Sequence, residues 1–213
     1  MLNKTDIEEI FRRWHEADPE PVTELDAPNE FCLLVSIVLS AQSTDAGVNK
    51  ATPALFAEAD TPEKMAALGL ERIRHHIKTI GLFNSKAKNI LALSEKIINE
   101  HDGKVPETSE ELEALPGVGR KTANVWLNCA RGELTMAVDT HVFRVANRIG
   151  LARTKTPAAT EKPLLKKIPT HWMLYAHHWL ILHGRYTCKA RKPLCNNCRI
   201  VDLCQYKDKT EPA

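Results

Sequence analysis

Residues 115–121 read Leu-Pro-Gly-Val-Gly-Arg-Lys, and no other segment constrains the fold of this chain as much. Thr108 and Glu111 have capping-box spacing, which predicts a short helix starting near Ser109. Pro116 and Gly117 must stop it, because proline removes a donor and glycine admits unusual dihedrals. A second helix is expected over Arg120–Arg131, with Ala123, Val125, Trp126 and Cys129 as its apolar members. The turn leaves the amides of Gly117, Val118 and Gly119 near a helix N-terminus. Free amides and a helix dipole together suit an anion such as a nucleic-acid phosphate, a contact that carries no base information. The bland alternative is a tight turn with no ligand, since short glycine motifs also arise by chance.

Lys121 stands at the mouth of the second helix, and eighteen positions later comes Asp139, within Val138-Asp-Thr-His-Val142. An uncharged lysine amine is a nucleophile that forms Schiff bases. The helix N-terminus and Arg120 both disfavour its ammonium, whereas a nearby carboxylate favours it. Asp139 places such a carboxylate just before another predicted helix. A phosphate grip, an amine and a carboxylate together point to chemistry on a nucleic-acid sugar. For Lys121 the plain alternatives are a solvated lysine or a simple phosphate contact.

Cys188, Cys195, Cys198 and Cys204 form a second signal, with six, two and five residues between them. Four thiolates so close can wrap one metal centre. Zinc sites usually pair two Cys-x-x-Cys knuckles, and here there is only one. Thiolates in a compact loop suit an iron–sulfur cluster better, with zinc left open. Disulfides are not expected, because no apolar segment opens the sequence and a reducing cytosol follows. Cys32 and Cys129 lie in apolar helical runs and are expected to be inert core thiols.

The net charge of +2 hides an asymmetry. Residues 1–30 are strongly acidic. Residues 184–200 carry Arg185, Lys189, Arg191, Lys192 and Arg199 with no acid, and Arg144, Arg148, Arg153 and Lys155 precede them. A basic C-terminal third on a nearly neutral chain reads as a local nucleic-acid footprint. No apolar run is long enough to span a bilayer.

Periodicity predicts helices throughout and no strand. Residues 31–39 are almost continuously apolar, which suits a buried helix. Asp45 is expected to cap the next one, and Thr61-Pro62-Glu63 starts another. Helices are also expected over 85–100, 140–149, 158–168 and 170–182, with Gly69, Gly81, Gly103 and Gly150 as breaks.

On these residues the chain resembles the endonuclease III family, the bifunctional DNA glycosylase/AP lyases of the helix-hairpin-helix superfamily. The resemblance rests on residues 115–123 and 138–142, on Ser40-Ala-Gln-Ser-Thr-Asp45 and Gly81-Leu-Phe-Asn-Ser-Lys86, and on the cysteine spacing. It covers essentially the whole chain. It implies an all-α, two-lobed helix-hairpin-helix glycosylase fold. A six-helix barrel domain would span 22–133, with the hairpin at about 108–128. An iron–sulfur cluster domain would combine 1–21 with 134–213, its [4Fe–4S] loop at 188–204. The active cleft would lie between the lobes, with Lys121 facing Asp139.

The resemblance also implies a function: base excision repair of oxidised pyrimidines in duplex DNA, then β-elimination at the abasic site through a lysine Schiff base. Lys121 would be the nucleophile and Asp139 its carboxylate partner. Cys188, Cys195, Cys198 and Cys204 would hold the [4Fe–4S] cluster. Gln42 would reach the orphaned base and Leu82 would wedge the stack. By composition alone, Leu82 reads as a core leucine and Gln42 as a helix-end glutamine. Gly117, Val118, Gly119, His141, Arg144 and Lys192 complete the expected DNA contacts. The partner is double-stranded DNA with damaged pyrimidines or abasic sites. A monomer acting on the bacterial nucleoid in the cytoplasm, away from membranes, is expected. Two rivals are a monofunctional adenine or mismatch glycosylase, which lacks the lysine nucleophile, and a non-catalytic iron–sulfur DNA-binding module, which needs no paired Lys121 and Asp139.

Overall fold

The fold is that of a computed structural model, which describes residues 2–210. Among the described residues there are eleven α-helices, a π-helical turn and a 3-10 turn, and no strand. The chain forms two compact units. One is Thr23–Gly132; the other joins the residues up to Val22 to those from Glu133 onward.

Seven helices build the middle unit: α2 (Glu30–Ser40), α3 (Asp45–Glu58), α4 (Pro62–Leu68), α5 (Leu70–Ile77), α6 (Phe83–His101), α7 (Ser109–Glu113) and α8 (Arg120–Arg131). The apolar run α2 is the pivot. Phe31, Leu34, Val35, Ile37, Val38 and Leu39 are all buried, and α3, α6 and α8 pack around them. Asn29 starts α2, its side chain accepting the Cys32 amide at 2.9 Å. Ala87, Ile90, Leu93 and Ile97 recur every three or four residues along α6 and form one buried stripe. Burying each such aliphatic side chain contributes about 1.5–3 kcal/mol. Trp126 of α8 is fully buried and donates its Nε1–H to Glu30 O at 3.0 Å. The cap of α3 departs from expectation. Thr44 provides it by accepting the Gly47 amide at 3.1 Å, so Asp45 is already inside the helix. Both residues are good caps, and one position decides which has the extended backbone a cap needs.

The unit made from the chain ends has α1 (Lys4–Ala17), α9 (Thr140–Ile149), α10 (Pro157–Lys167) and α11 (Thr170–Leu182). Helix α1 was not foreseen, because its many charges mask a stripe of Ile7, Ile10, Phe11 and Trp14. That stripe joins Val142, Val145, Ile149, Trp179 and Leu180 in one core. Phe11 and Trp14 meet edge to face at 5.2 Å, and Trp179 donates to Asp18 O at 2.8 Å. Arg13 ties the N-terminal helix to the cysteine region through Asp202 at 2.6 Å and Arg199 O at 2.8 Å. Truncating Phe11 to Ala would cost about 3–5 kcal/mol.

Candidate active site and cysteine loop

The hairpin forms as its sequence demands. Thr108 Oγ1 accepts the Glu111 amide at 3.3 Å and donates to Glu111 Oε2 at 2.6 Å, starting α7. Gly117 carries the chain through the turn at φ +79°. A β-carbon there would stand 2.8 Å from the Asn89 side chain, so the position needs glycine twice over. Gly119 behaves differently. Its φ is −108°, and a β-carbon would meet nothing within 4 Å. Neither strain nor crowding requires glycine there; it stands at the N-cap of α8, where glycine is one of several favoured residues. Having no side chain, Gly119 gives α8 no side-chain cap. The amides of Gly117 and Gly119 have no internal partner among the described residues, whereas the Val118 amide donates to Leu115 O at 3.1 Å. Val118 is also buried in the core. The expectation that all three amides of the turn are free is therefore corrected: in the free protein the two glycine amides are, and the Val118 amide is not.

Lys121 is the second residue of α8. It is exposed and, within its unit, makes no hydrogen bond or ion pair. The core cannot hold it, since its neighbours Ala123, Asn124 and Val125 face inward instead.

Asp139 is the N-cap of α9. Its Oδ1 accepts the Val142 amide at 2.8 Å, which fixes the carboxylate and leaves Oδ2 for other chemistry. Two residues on, His141 Nδ1 lies 3.2 Å from Arg144 Nη2. An arginine can only donate, so Nδ1 accepts and the neutral imidazole carries its proton on Nε2. Arg144 was expected to reach DNA. Within the protein its Nε donates to Cys188 O at 3.1 Å and its Nη2 to Gly184 O at 2.8 Å. Those donors hold protein backbone, which is a bracing role. Gly184 sits in the π-helical turn His183–Thr187, where a β-carbon would stand 2.9 Å from His141 Cβ. Such a turn inserts a residue into the helical ladder, and here it lets the backbone pass directly under α9. No periodicity argument reveals it.

Gln42 and Leu82 share a property that composition could not show. Both have left-handed backbone, at φ +56° and +60°, and both are exposed, Leu82 at 60%. The core-leucine reading of Leu82 fails on that exposure. Gln42 follows the end of α2 and Leu82 precedes α6, in the same unit.

None of the six cysteines forms a disulfide. Cys32 and Cys129 are structural: burial pushes their thiols up to about 12 and about 11. Cys188, Cys195, Cys198 and Cys204 line one cavity with Ile149, Pro193, Leu194 and Val201, and no carboxylate borders it. Yet among the described residues no three His, Cys, Asp or Glu side chains are drawn together as around a single ion. The cavity has thiols enough for a polynuclear centre but not the convergence of a preformed zinc site. Polar groups lie beside the sulfurs. Arg148 Nη1 reaches Cys188 Sγ at 3.5 Å, and His183 Nε2 lies 3.8 Å from Cys198 Sγ. Such outer donors compensate thiolate charge. Arg148 also donates to Lys189 O at 2.7 Å and Ala190 O at 2.8 Å, and its guanidinium stacks 4.6 Å above Tyr206. Its place four residues after Arg144 on one helical face was the available clue. Lys192 is exposed on the same loop.

These features have counterparts in known proteins. Residues 35–170 match the model of the HhH-GPD superfamily base excision DNA repair protein. The chain belongs to the HhH-GPD superfamily. It is 55% identical over 210 residues to endonuclease III of Haemophilus influenzae, covering 99% of this chain and 100% of that one. Against endonuclease III of Escherichia coli strain K12 the identity is 53% over 210 residues, with the same coverage of both. A trapped endonuclease III–DNA covalent intermediate, an estranged-adenine complex, superposes with a TM-score of 0.90. That structure is 43% identical and the match covers 96% of this chain and 97% of its own. Within the HhH-GPD frame, α7, the glycine turn and α8 are the helix-hairpin-helix. No helix among the described residues is long and apolar enough to cross a membrane.

Proposed function

We propose that this chain is a base excision repair enzyme that removes oxidised pyrimidines from duplex DNA and then cleaves the abasic strand with a lysine Schiff base. The observation that carries this reading is Lys121: an exposed, unpartnered amine on the first turn of a helix whose glycine start presents free amides. The amides of Gly117 and Gly119 grip a backbone phosphate, which sets the register without reading sequence.

The damaged nucleotide must leave the stack before its C1′ can be attacked. Leu82 enters the gap as an apolar wedge and Gln42 meets the orphaned base. The Lys121 amine, having lost its proton, then forms a bond to C1′. The C1′–N bond breaks and the base leaves with the electron pair, taking up a proton. Asp139 stabilises the positive charge that develops on the sugar and accepts or returns protons. Opening of the sugar ring gives the imine. The imine makes the C2′ proton acidic, and its loss breaks the C3′–O bond and expels the 3′ phosphate. Hydrolysis of the imine frees Lys121.

Cys188, Cys195, Cys198 and Cys204 hold a [4Fe–4S] cluster. When bound it supplies a covalent anchor that shapes the basic loop 188–204, and Lys192 presents its charge from that loop to the DNA backbone. His141 offers its Nε2–H near the same strand, while Arg144 and Arg148 brace the loop from α9. The cluster domain is 1–21 plus 134–213, and the barrel domain is 22–133. The enzyme works on nucleoid DNA in the bacterial cytoplasm as a monomer. The rival without lysine chemistry is disfavoured by Lys121 itself. Borohydride reduction of the imine on abasic DNA tests the reading, because only an amine nucleophile leaves a covalent adduct.

A further inference from the structure

A second lysine has no part in the chemistry above and an unusual setting. Lys86, on the first turn of α6, is only 5% exposed. No carboxylate compensates it, and burial alone pulls its pKa below the ordinary lysine value. Its Nζ donates to Leu39 O at 2.9 Å and to Ser43 Oγ at 2.9 Å. Both acceptors lie at the C-terminal end of α2.

The end of α2 explains why a cation is there. Leu39 O would normally accept the amide four residues on, but the Ser43 amide turns back to Ser40 O at 3.0 Å. Helices commonly solve this with a left-handed glycine after the last turn. Here the cap residue is Ala41, and Gln42 has the left-handed backbone. The buried ammonium takes over. It donates to the orphaned carbonyl and sets a positive charge against the negative end of the helix dipole.

Lys86 is also bonded on its other side. Its amide donates to Leu82 O at 3.1 Å, which opens α6 immediately after the left-handed Leu82. One residue therefore anchors Leu82 through its backbone and brackets Gln42 through its side chain. The two loops run side by side as well, since a β-carbon on Gly81 would stand 3.8 Å from Gln42 O. Non-glycine residues held in left-handed backbone persist only when their surroundings impose it. Lys86 is the residue common to both, its ammonium at the end of α2 beside Gln42 and its amide on Leu82 O.

We propose that Lys86 is a positioning residue: it clamps Gln42 and Leu82 at a fixed separation, so that they enter the duplex as one unit when the damaged base leaves. The proposal rests on the reading that these two residues fill the gap. It differs from a merely stabilising lysine in one consequence. Loss of the clamp must matter most where a base opposite the lesion has to be separated and held.

The test compares single-turnover excision of thymine glycol in two duplexes that differ only in the opposite strand. One has adenine opposite the lesion; the other has a tetrahydrofuran residue with no base. Lys86→Met keeps the side-chain length and removes the charge. It should slow excision by about tenfold or more opposite adenine and by less than about threefold opposite tetrahydrofuran. Ser43→Ala removes one anchor and keeps the charge, and should shift the same ratio in the same direction by a smaller factor. It carries the test alone if Lys86→Met does not fold, as judged by its melting curve. Equal slowing on both duplexes would make Lys86 a structural residue and overturn the clamp. The Leu82→Ala single variant and the double variant keep the two ideas apart. If Leu82→Ala leaves the ratio at the parent value, the gap-filling reading is wrong and the clamp falls with it. If Leu82→Ala changes the ratio but Lys86→Met adds its full effect in that background, gap filling stands and the clamp is refuted.

Discussion

Asp139 Oδ1 accepts the Val142 amide at 2.8 Å, so the carboxylate proposed for catalysis is also the cap of α9. This double use makes the choice of substitution decisive. Asparagine caps helices about as well as aspartate, whereas alanine does not. Asp139→Asn should therefore melt like the parent and lose only the negative charge. Asp139→Ala should in addition lose about 1 kcal/mol of stability. Both should excise thymine glycol more slowly, on the order of a hundredfold, because the developing sugar cation loses its counter-charge. Nicking of a preformed abasic site should suffer less, since the base has already gone. Chemical denaturation and single-turnover kinetics on the two substrates check this. Parent-like excision by Asp139→Asn would remove the carboxylate from the mechanism.

The two hairpin glycines should respond unequally to alanine. Gly117 is left-handed and crowded by Asn89, so Gly117→Ala should destabilise the free protein by roughly 1–3 kcal/mol. Gly119 is neither, and Gly119→Ala should cost less, about 1 kcal/mol at most, because the change only replaces a glycine N-cap of α8 with alanine. Gly119→Asp should bind damaged and undamaged duplex weakly alike, because the lost contact is to a phosphate and the new charge repels it. Its residual binding should also depend less steeply on salt, as fewer counterions are released. Titrations at several salt concentrations measure both effects. Parent-like affinity of a normally folded Gly119→Asp would reduce the hairpin to a structural turn.

The cysteine loop should carry about four irons per chain and a yellow-brown colour. Cys198→Ala should abolish the colour and loosen the loop, because metal binding and folding are coupled there. Iron and acid-labile sulfide analysis of protein made under anaerobic, iron-replete conditions is the measurement. Stoichiometric zinc without iron would overturn the cluster.

The elements that were legible in the sequence are those whose signal is local. The α7–α8 hairpin follows from a capping pair, a proline and two glycines, and the buried run of α2 and the stripe of α6 follow from apolar spacing. What the sequence hid depends on hydrogen bonds between distant segments. The Val118 amide is occupied because the turn closes onto Leu115. Arg144 looks like any basic surface residue until Gly184 O and Cys188 O appear 40 and 44 residues away. Lys86 reads as one more helix-surface lysine, and its burial follows only from where α2 ends. Left-handed Gln42 and Leu82 were unreadable because neither is glycine, and residue type is the usual guide to positive φ.

The central claim is that Lys121 is the amine nucleophile, and borohydride trapping tests it most directly. Parent protein mixed with abasic-site duplex and borohydride should give a covalent protein–DNA adduct that survives denaturing gel electrophoresis. Lys121→Gln should give no adduct and no strand cleavage while still binding the duplex, because the phosphate contacts proposed for Gly117 and Gly119 are untouched. Mass spectrometry of the digested parent adduct should place the modification on the peptide containing Lys121. Persistent trapping in a folded Lys121→Gln variant would assign the chemistry to a different amine and contradict the account.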